Sequence, residues 1–329
     1  MRKLMLLLCA WLCVLALVVP LTSAYAVTPQ ARTWVSNSGT DADNCVLAAP
    51  CATFAYALTV TVPGGEIDCL TPGNYGSEFT ITQSVTIDCG DGQVGAITAG
   101  GFTVASGAGS VVIIRNLTIN AAAASGSSFF GTVGIGVDSV GALVVENCHI
   151  VGFPIAPALG IDFAPTSASG ATQLSIANTF ITNNGNSIDS LSGGIYIKPA
   201  SGATATVSID HSQINGNYFG IVADGRSGGT ISATISDSVV ADSAENGITA
   251  ISSGSAVVFM IDQTKVTGNA AAGLFAGGSG AGMLVRNTTV FRNGNGLDSA
   301  NNAVLFSYGN NSVAGNATNG AFTGTISQQ

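Results

Sequence analysis

From about residue 30 onward, apolar and polar positions alternate in short bursts, as in T-V-S-I-D (206–210) and G-I-Y-I-K (194–198). The runs are four to six residues long, rich in Val, Ile and Thr, and bounded by Gly, Asn and Ser. That is the period of a β-strand, not of a helix. The bursts repeat as larger units. Aligned on a polar turn residue they read IRNLTI (114–119), VENCHI (145–150), IANTFI (176–181), IDHSQI (209–214), ISDSVV (235–240), IDQTKV (261–266), VRNTTV (285–290) and YGNNSV (308–313). The turn residues are Asn116, Asn147, Asn178, His211, Asp237, Gln263, Asn287 and Asn310. A Gly-aliphatic pair follows each of the first seven within the unit, from Gly134-Ile135 to Gly296-Leu297, and a Ser-Gly pair closes most units. Three markers in phase at a period of 20–35 residues predict a solenoid.

Three short strands and three turns per unit give a coil that stacks on the next with parallel strands ~4.8 Å apart. Crossovers between parallel strands of L-residues wind right-handed. The expected fold is therefore all-β, a single-stranded right-handed parallel β-helix. The turn Asn suits a left-handed backbone, and identical amides stacked one per coil can bond along the column. His211, Asp237 and Gln263 interrupt that column but keep hydrogen-bonding groups in it.

Charge narrows the range of partners. Arg2 and Lys3 fall in a leader, which leaves all 18 carboxylates against seven of the nine Lys and Arg residues. Such an acidic chain argues against nucleic acid and anionic membranes, which require a basic face. The leader itself is a basic start, an apolar run from Leu4 to Val19, Pro20 and Ala24-Tyr25-Ala26. This pattern predicts a secretory signal peptide cut after Ala26, hence a secreted, periplasmic or extracellular protein with no membrane span after cleavage. Cys45, Cys51, Cys69, Cys89 and Cys148 then remain in a compartment that permits disulfides, and the odd count leaves a thiol over.

The stretch APCATFAYAL…VPGGEIDCLTPGNYG (49–76) resembles the opening of pectin-lyase-like right-handed β-helix proteins. These begin with a short capping helix (here Ala52–Leu58), a Pro-Gly, an acidic residue and an isoleucine, then Pro-Gly-x-Tyr (here 72–75). With the repeats, the resemblance spans roughly residues 32–322. Behind the signal peptide over 1–26, it implies a cap region with a short helix over 27–60, the β-helix over 61–322 and a tail over 323–329. In that picture the duplicated Ile-Asp-Cys at 67–69 and 87–89 sits one coil apart, which predicts a Cys69–Cys89 disulfide. Cys45–Cys51 closes a small loop at the cap, and Cys148 is left as a buried, inert thiol.

Alternation turns Ile135, Ile161, Ile195, Ile221 and Ile248 inward. The next column faces out with Asp162, Tyr196, Phe275 and Asp298. The one beyond carries Asp138, Lys198 and Asp224, with Arg226 at the following turn. In polysaccharide-cleaving members of the family the substrate groove runs along a corresponding sheet. The resemblance thus makes Asp138, Asp162, Lys198, Asp224 and Arg226 the candidate catalytic strip. Tyr196, Phe275 and Asp298 become the candidate binding contacts. Asp138 and Asp162, at ~8 Å by strand geometry, have the spacing of an inverting glycosidase pair. A lyase would instead use Ca²⁺ on these aspartates. Against catalysis, the family's Asn-Thr-Asp, Asp-Asp, Gly-His-Gly and Arg-Ile-Lys motifs are missing. His149 has no second His at a ligand spacing, so no metal site is expected. The preferred reading is a noncatalytic exported module without a cofactor that binds glycans or a cell-surface partner through its flat face. The alternative is a polysaccharide lyase or glycoside hydrolase.

Overall fold

The structure, a computed structural model, describes residues 28–327 apart from 43, 77, 91–95, 122–131, 167–169 and 189–190, and of residues 96–99 the backbone alone. The leader expected over residues 1–26 lies outside the described residues. The chain is a right-handed parallel β-helix with one helix, Phe54–Val60. Each full coil contributes three strands. The first begins at the Gly-aliphatic marker, as in Leu159–Phe163, Gly193–Ile197 and Phe219–Asp224. The second leads up to the turn residue, as in Ala171–Ala177 and Thr204–Asp210. The third follows it with three residues, as in Phe180–Thr182 and Gln213–Asn215. Third strands stack into a sheet of ten; first and second strands form a sheet of 19, joined through Phe102–Arg115 and Val133–Glu146, which run through both.

From Leu159 onward the strands stack in register, whereas Phe102–Arg115 shifts against Val133–Glu146 between Val104 and Val111, and Gln30–Val35 shifts once against Thr61–Cys69. Ile135 pairs with Ile161, then Ile195, Ile221 and Ile248, and all five are buried. The turn residues from Asn116 to Asn287 all have φ between 46° and 58°, the left-handed region that Asn, Asp and His tolerate. The last coil differs. There Gly309, with φ of 89°, takes the left-handed turn in place of Asn310, although Asn310 Nδ2 still donates to Asn287 Oδ1. Amide-to-amide bonds link only the ends of the column, Asn147 to Asn116 and Asn310 to Asn287. In the middle, His211 Nδ1 bonds Asp210 Oδ2 (2.7 Å) and Gln263 Nε2 donates to Asp237 Oδ2 (3.3 Å).

A second asparagine column, not anticipated from the sequence, runs inside the coil six residues after the turn residues. It consists of Phe153, Asn184, Asn217, Ser243, Asn269, Asn293 and Asn316. Asn184 Nδ2 donates to Asn217 Oδ1 (3.0 Å), Asn269 Nδ2 to Asn293 Oδ1 (2.8 Å), and Asn293 Nδ2 to Asn316 Oδ1 (2.9 Å). This column and the next coil's backbone together explain the Gly marker, since a Cβ on Gly134, Gly160, Gly194 or Gly220 would lie 2.3–2.7 Å from the carbonyl oxygen of the glycine one coil on. A Cβ on Gly160, Gly194, Gly247, Gly273 or Gly296 would lie 2.6–3.0 Å from the amide nitrogen of the buried asparagine one coil on. Only Ser243 breaks the run of amides after Phe153. Its hydroxyl is buried without a partner among the described residues, and the atoms nearest a Cβ on Gly220 are the Gly247 carbonyl and Val240 in place of an amide. Ser243→Asn should join the two halves of the ladder and add about 1–2 kcal/mol to stability, read as a rise in the denaturant midpoint. A lowered midpoint would show that the column cannot be completed here.

The residues just after the turn form a hydroxyl column. Thr179, Ser212, Ser238, Thr264 and Thr288 each donate to the carbonyl two residues back at 2.7–2.8 Å. Cys148 occupies the same position, donating to the Glu146 carbonyl (3.3 Å), and burial pushes its thiol up to about 12. A thiol reagent should therefore leave the native protein unlabelled at neutral pH and react once denaturant opens it. Fast native labelling would contradict the buried placement.

Both disulfides form, Cys45–Cys51 and Cys69–Cys89. The coil also extends further at both ends than the expected boundaries. Gln30–Val35, inside the stretch expected to be cap, already pairs with Thr61–Cys69. Gly324–Thr325, inside the expected tail, pairs with Phe306–Ser307. The capping helix is shifted two residues from the expected span because Thr53 is its N-cap, accepting from the Tyr56 N–H (3.2 Å), while Asp41 Oδ1 accepts from the Ala52 and Thr53 N–H groups. Phe54, Ala57 and Val60 cover the open end of the core.

Candidate functional site

The outward column on the first strands is continuous. Thr103 pairs with Gly136, then Asp162, Tyr196, Val222, Thr249, Phe275 and Asp298. Register alone does not make it an exposed strip. Val222 is 1 % exposed and Thr249 2 %, so the middle of the column is closed over by its neighbours. Phe275 and Asp298 lie beyond this closed stretch, both half-buried.

Asp224 corrects the expected strip most clearly. Sequence alternation put it on the open face, yet it is 1 % exposed. Arg226, two residues on, folds back to place Nε 2.9 Å from Oδ1 and Nη2 2.9 Å from Oδ2, and its backbone N–H reaches Oδ1 at 3.0 Å. From the preceding coil, the Tyr196 hydroxyl donates to Oδ2 (2.9 Å). Burial by itself would raise the Asp224 carboxyl, but the arginine and the other donors hold it below the ordinary range. The Tyr196 phenol is raised, by burial first and by the Asp224 charge second. Asp224, Arg226 and Tyr196 thus form a satisfied network that pins one turn to the sheet. Lys198 lies above it, its ammonium 5.9 Å from the Tyr196 ring centroid.

Asp138 and Asp162 do come together. They line one cleft of about 400 Å³ with Glu78, Thr103 and Gly136, over a floor that includes Phe102. Gly136 creates its depth, because it sits between Thr103 and Asp162 in the outward column and carries no side chain there. Glu78 belongs to this site and was not anticipated. It precedes Phe79–Ile81, which pairs with Phe102–Val104, which pairs in turn with Ile135–Val137. Asp162 Oδ1 is shut off from solvent with no donor among the described residues. Burial and then the Asp138 charge push its carboxyl up to about 6, with Lys198 acting in the opposite direction.

The carboxylates of Glu78, Asp138 and Asp162 are hard oxygen donors of the kind Ca²⁺ takes. Elsewhere, Asp210, His211 and Asp237 bring one ligand atom each within 4.8 Å of one another on the turn column. Those side chains already engage each other and Gln263 along the surface.

No family model matches the chain, and no curated protein matches its sequence. Among solved structures it is similar to the crystal structure of pectate lyase Pel9A, at 15% identity and a TM-score of 0.47, over 86% of this chain and 69% of that one. The two disulfides suit an oxidising, extracellular setting. Among the described residues, no helix is long and apolar enough to cross a membrane.

Proposed function

We propose that this chain is an exported, noncatalytic module that binds a polysaccharide along the outward face of its first strands, anchored in the cleft of Glu78, Asp138 and Asp162. The observation that carries this reading is the cleft itself, which gathers the carboxylates of Glu78, Asp138 and Asp162 in one concave polar site on the outward face. Export fits the leader and the disulfides. On a glycan array the native chain should retain a polysaccharide, and Asp162→Asn should lose most of that binding while staying folded. Undiminished retention by the variant would remove Asp162 from the site.

One observation favours a second reading. A carboxyl raised to about 6 beside a second carboxylate has the makings of a general acid and a general base. Asp162 would then protonate the glycosidic oxygen of the leaving sugar, and Asp138 would take a proton from the attacking water. A reducing-sugar assay on whichever glycan is retained separates the two. New reducing ends lost in Asp138→Asn would make the chain a hydrolase, whereas retention without cleavage keeps it a binding module.

A further inference from the structure

We infer that the protein pairs end to end with a second copy of itself, through the open face that residues 312–327 form at the last coil of the solenoid. The two ends of the solenoid are finished differently. At the N-terminal end the edge of Gln30–Val35 is already occupied. Trp34 N–H donates to the Cys45 carbonyl (2.8 Å), Ser36 N–H donates to the Cys51 carbonyl (2.9 Å), and the Trp34 carbonyl accepts from the Cys51 N–H (2.9 Å). The Cys45–Cys51 disulfide closes that loop, and the helix Phe54–Val60 covers the core beside it.

The other end has no such cover. Ser312–Ala314 is the outermost of the ten stacked third strands, and among the described residues Gly324–Thr325 pairs with Phe306–Ser307 and with no strand beyond. The Ser312 N–H points back to the Thr288 carbonyl (2.9 Å), so alternation turns the Val313 N–H and carbonyl to the open edge. The core shows the same contrast. The inward column from Ile119 to Val290 is shut off from solvent at every coil, yet Val313, next in register, is only partly buried. Phe322 and Ile326, in the same last coil, are also half-buried.

Exposed strand edges are ordinarily blunted by charges, above all lysine, or by proline. This end carries neither: after Asp298 the sequence holds no Asp, Glu, Lys or Arg, and its last proline is Pro199. Two copies of a chain with a net charge of −9 can meet here without bringing like charges face to face. The area suffices as well. A coil of 23 residues at ~3.3 Å per residue bounds an end face of roughly 600 Å², side chains included. Two such faces bury about 1,200 Å², the lower bound of specific interfaces. Because the N-terminal edge is occupied, a head-to-tail chain of copies is closed off. The contact is then the same patch on both partners, related by a two-fold axis that sets Ser312–Ala314 antiparallel to its copy.

Sedimentation equilibrium and small-angle X-ray scattering over a concentration series of the protein test this. The mass should pass from one chain to two and stop there. The longest dimension should roughly double from the ~50 Å that ten strand layers and a cap span. Ala321→Glu and Thr325→Glu, at exposed positions of the last coil, should each weaken the pairing at least about tenfold with an unchanged urea midpoint of the monomer. Leu47→Glu, exposed at the capped end, should leave the pairing as it is. A one-chain mass up to about 1 mM would overturn the inference, as would a dimer no longer than one rod. So would a dimer indifferent to both last-coil glutamates, or growth beyond two chains.

Discussion

Asn217→Ala is expected to cost about 3–5 kcal/mol, whereas Asn147→Ala, in the outer column, should cost only about 2 kcal/mol. Asn217 is 1 % exposed. Its Oδ1 accepts from both the backbone N–H and the Nδ2 of Asn184, each at 3.0 Å, and its Nδ2 donates to the Ile181 carbonyl at 2.9 Å. Truncation strands all three partners where water cannot replace them, at roughly 1–3 kcal/mol for each buried group left unmade. Asn147 makes one side-chain bond, at the surface, to Asn116. Its larger contribution is tolerance of a φ of 52°, which costs an alanine roughly 1–2 kcal/mol. Denaturant midpoints of the two variants measured side by side check the contrast. Equal losses would mean that the inner amides contribute no more than surface turns.

The same pair of columns shows what the sequence exposes and what it conceals. The outer turn residues, the Gly-aliphatic pairs and the strand alternation are periodic in residue type, and every inward isoleucine expected from that alternation is buried. The inner column is just as periodic, six residues after the outer one. It stayed hidden because Asn184, Asn217, Asn269 and Asn293 lie in N-N-G, N-G-N, T-G-N and R-N-G contexts that read as loop chemistry. What distinguishes them is a glycine of the preceding coil lying under each amide, and that relation crosses 20 or more residues. The candidate site was legible to a similar depth. Alternation correctly stacked Asp162 on Gly136 and Tyr196. It could not show that Arg226 folds back to seal Asp224, because that depends on a turn's backbone path and not on the repeat. Glu78 carries no motif at all and enters the cleft only through two steps of strand pairing.

Asp162→Asn is expected to stabilise the unliganded protein by about 3 kcal/mol at mildly alkaline pH, and by almost nothing near the ordinary carboxylate pKa. The folded-state carboxyl is raised from the ordinary 3.8 to about 6, so the folded state holds a proton that the unfolded chain gives up more readily. Below the lower value both states are protonated and the group is neutral in its effect. As pH climbs through the interval between the two, the unfolded chain ionises first and stability falls. Above the upper value the loss is complete, at about 1.4 kcal/mol for each pK unit of difference. Asparagine cannot ionise, keeps the size and shape of the protonated carboxyl, and so escapes that loss. Urea midpoints of the two proteins should therefore coincide in acid and separate steadily as pH rises to the alkaline side. A variant no more stable than the parent in alkali would mean that the carboxylate already has a partner in the cleft. If the variant gains stability and also loses its glycan, Asp162 is a residue kept for its ligand at the expense of the fold. If it gains stability and binds as before, the cleft's chemistry rests with Glu78 and Asp138.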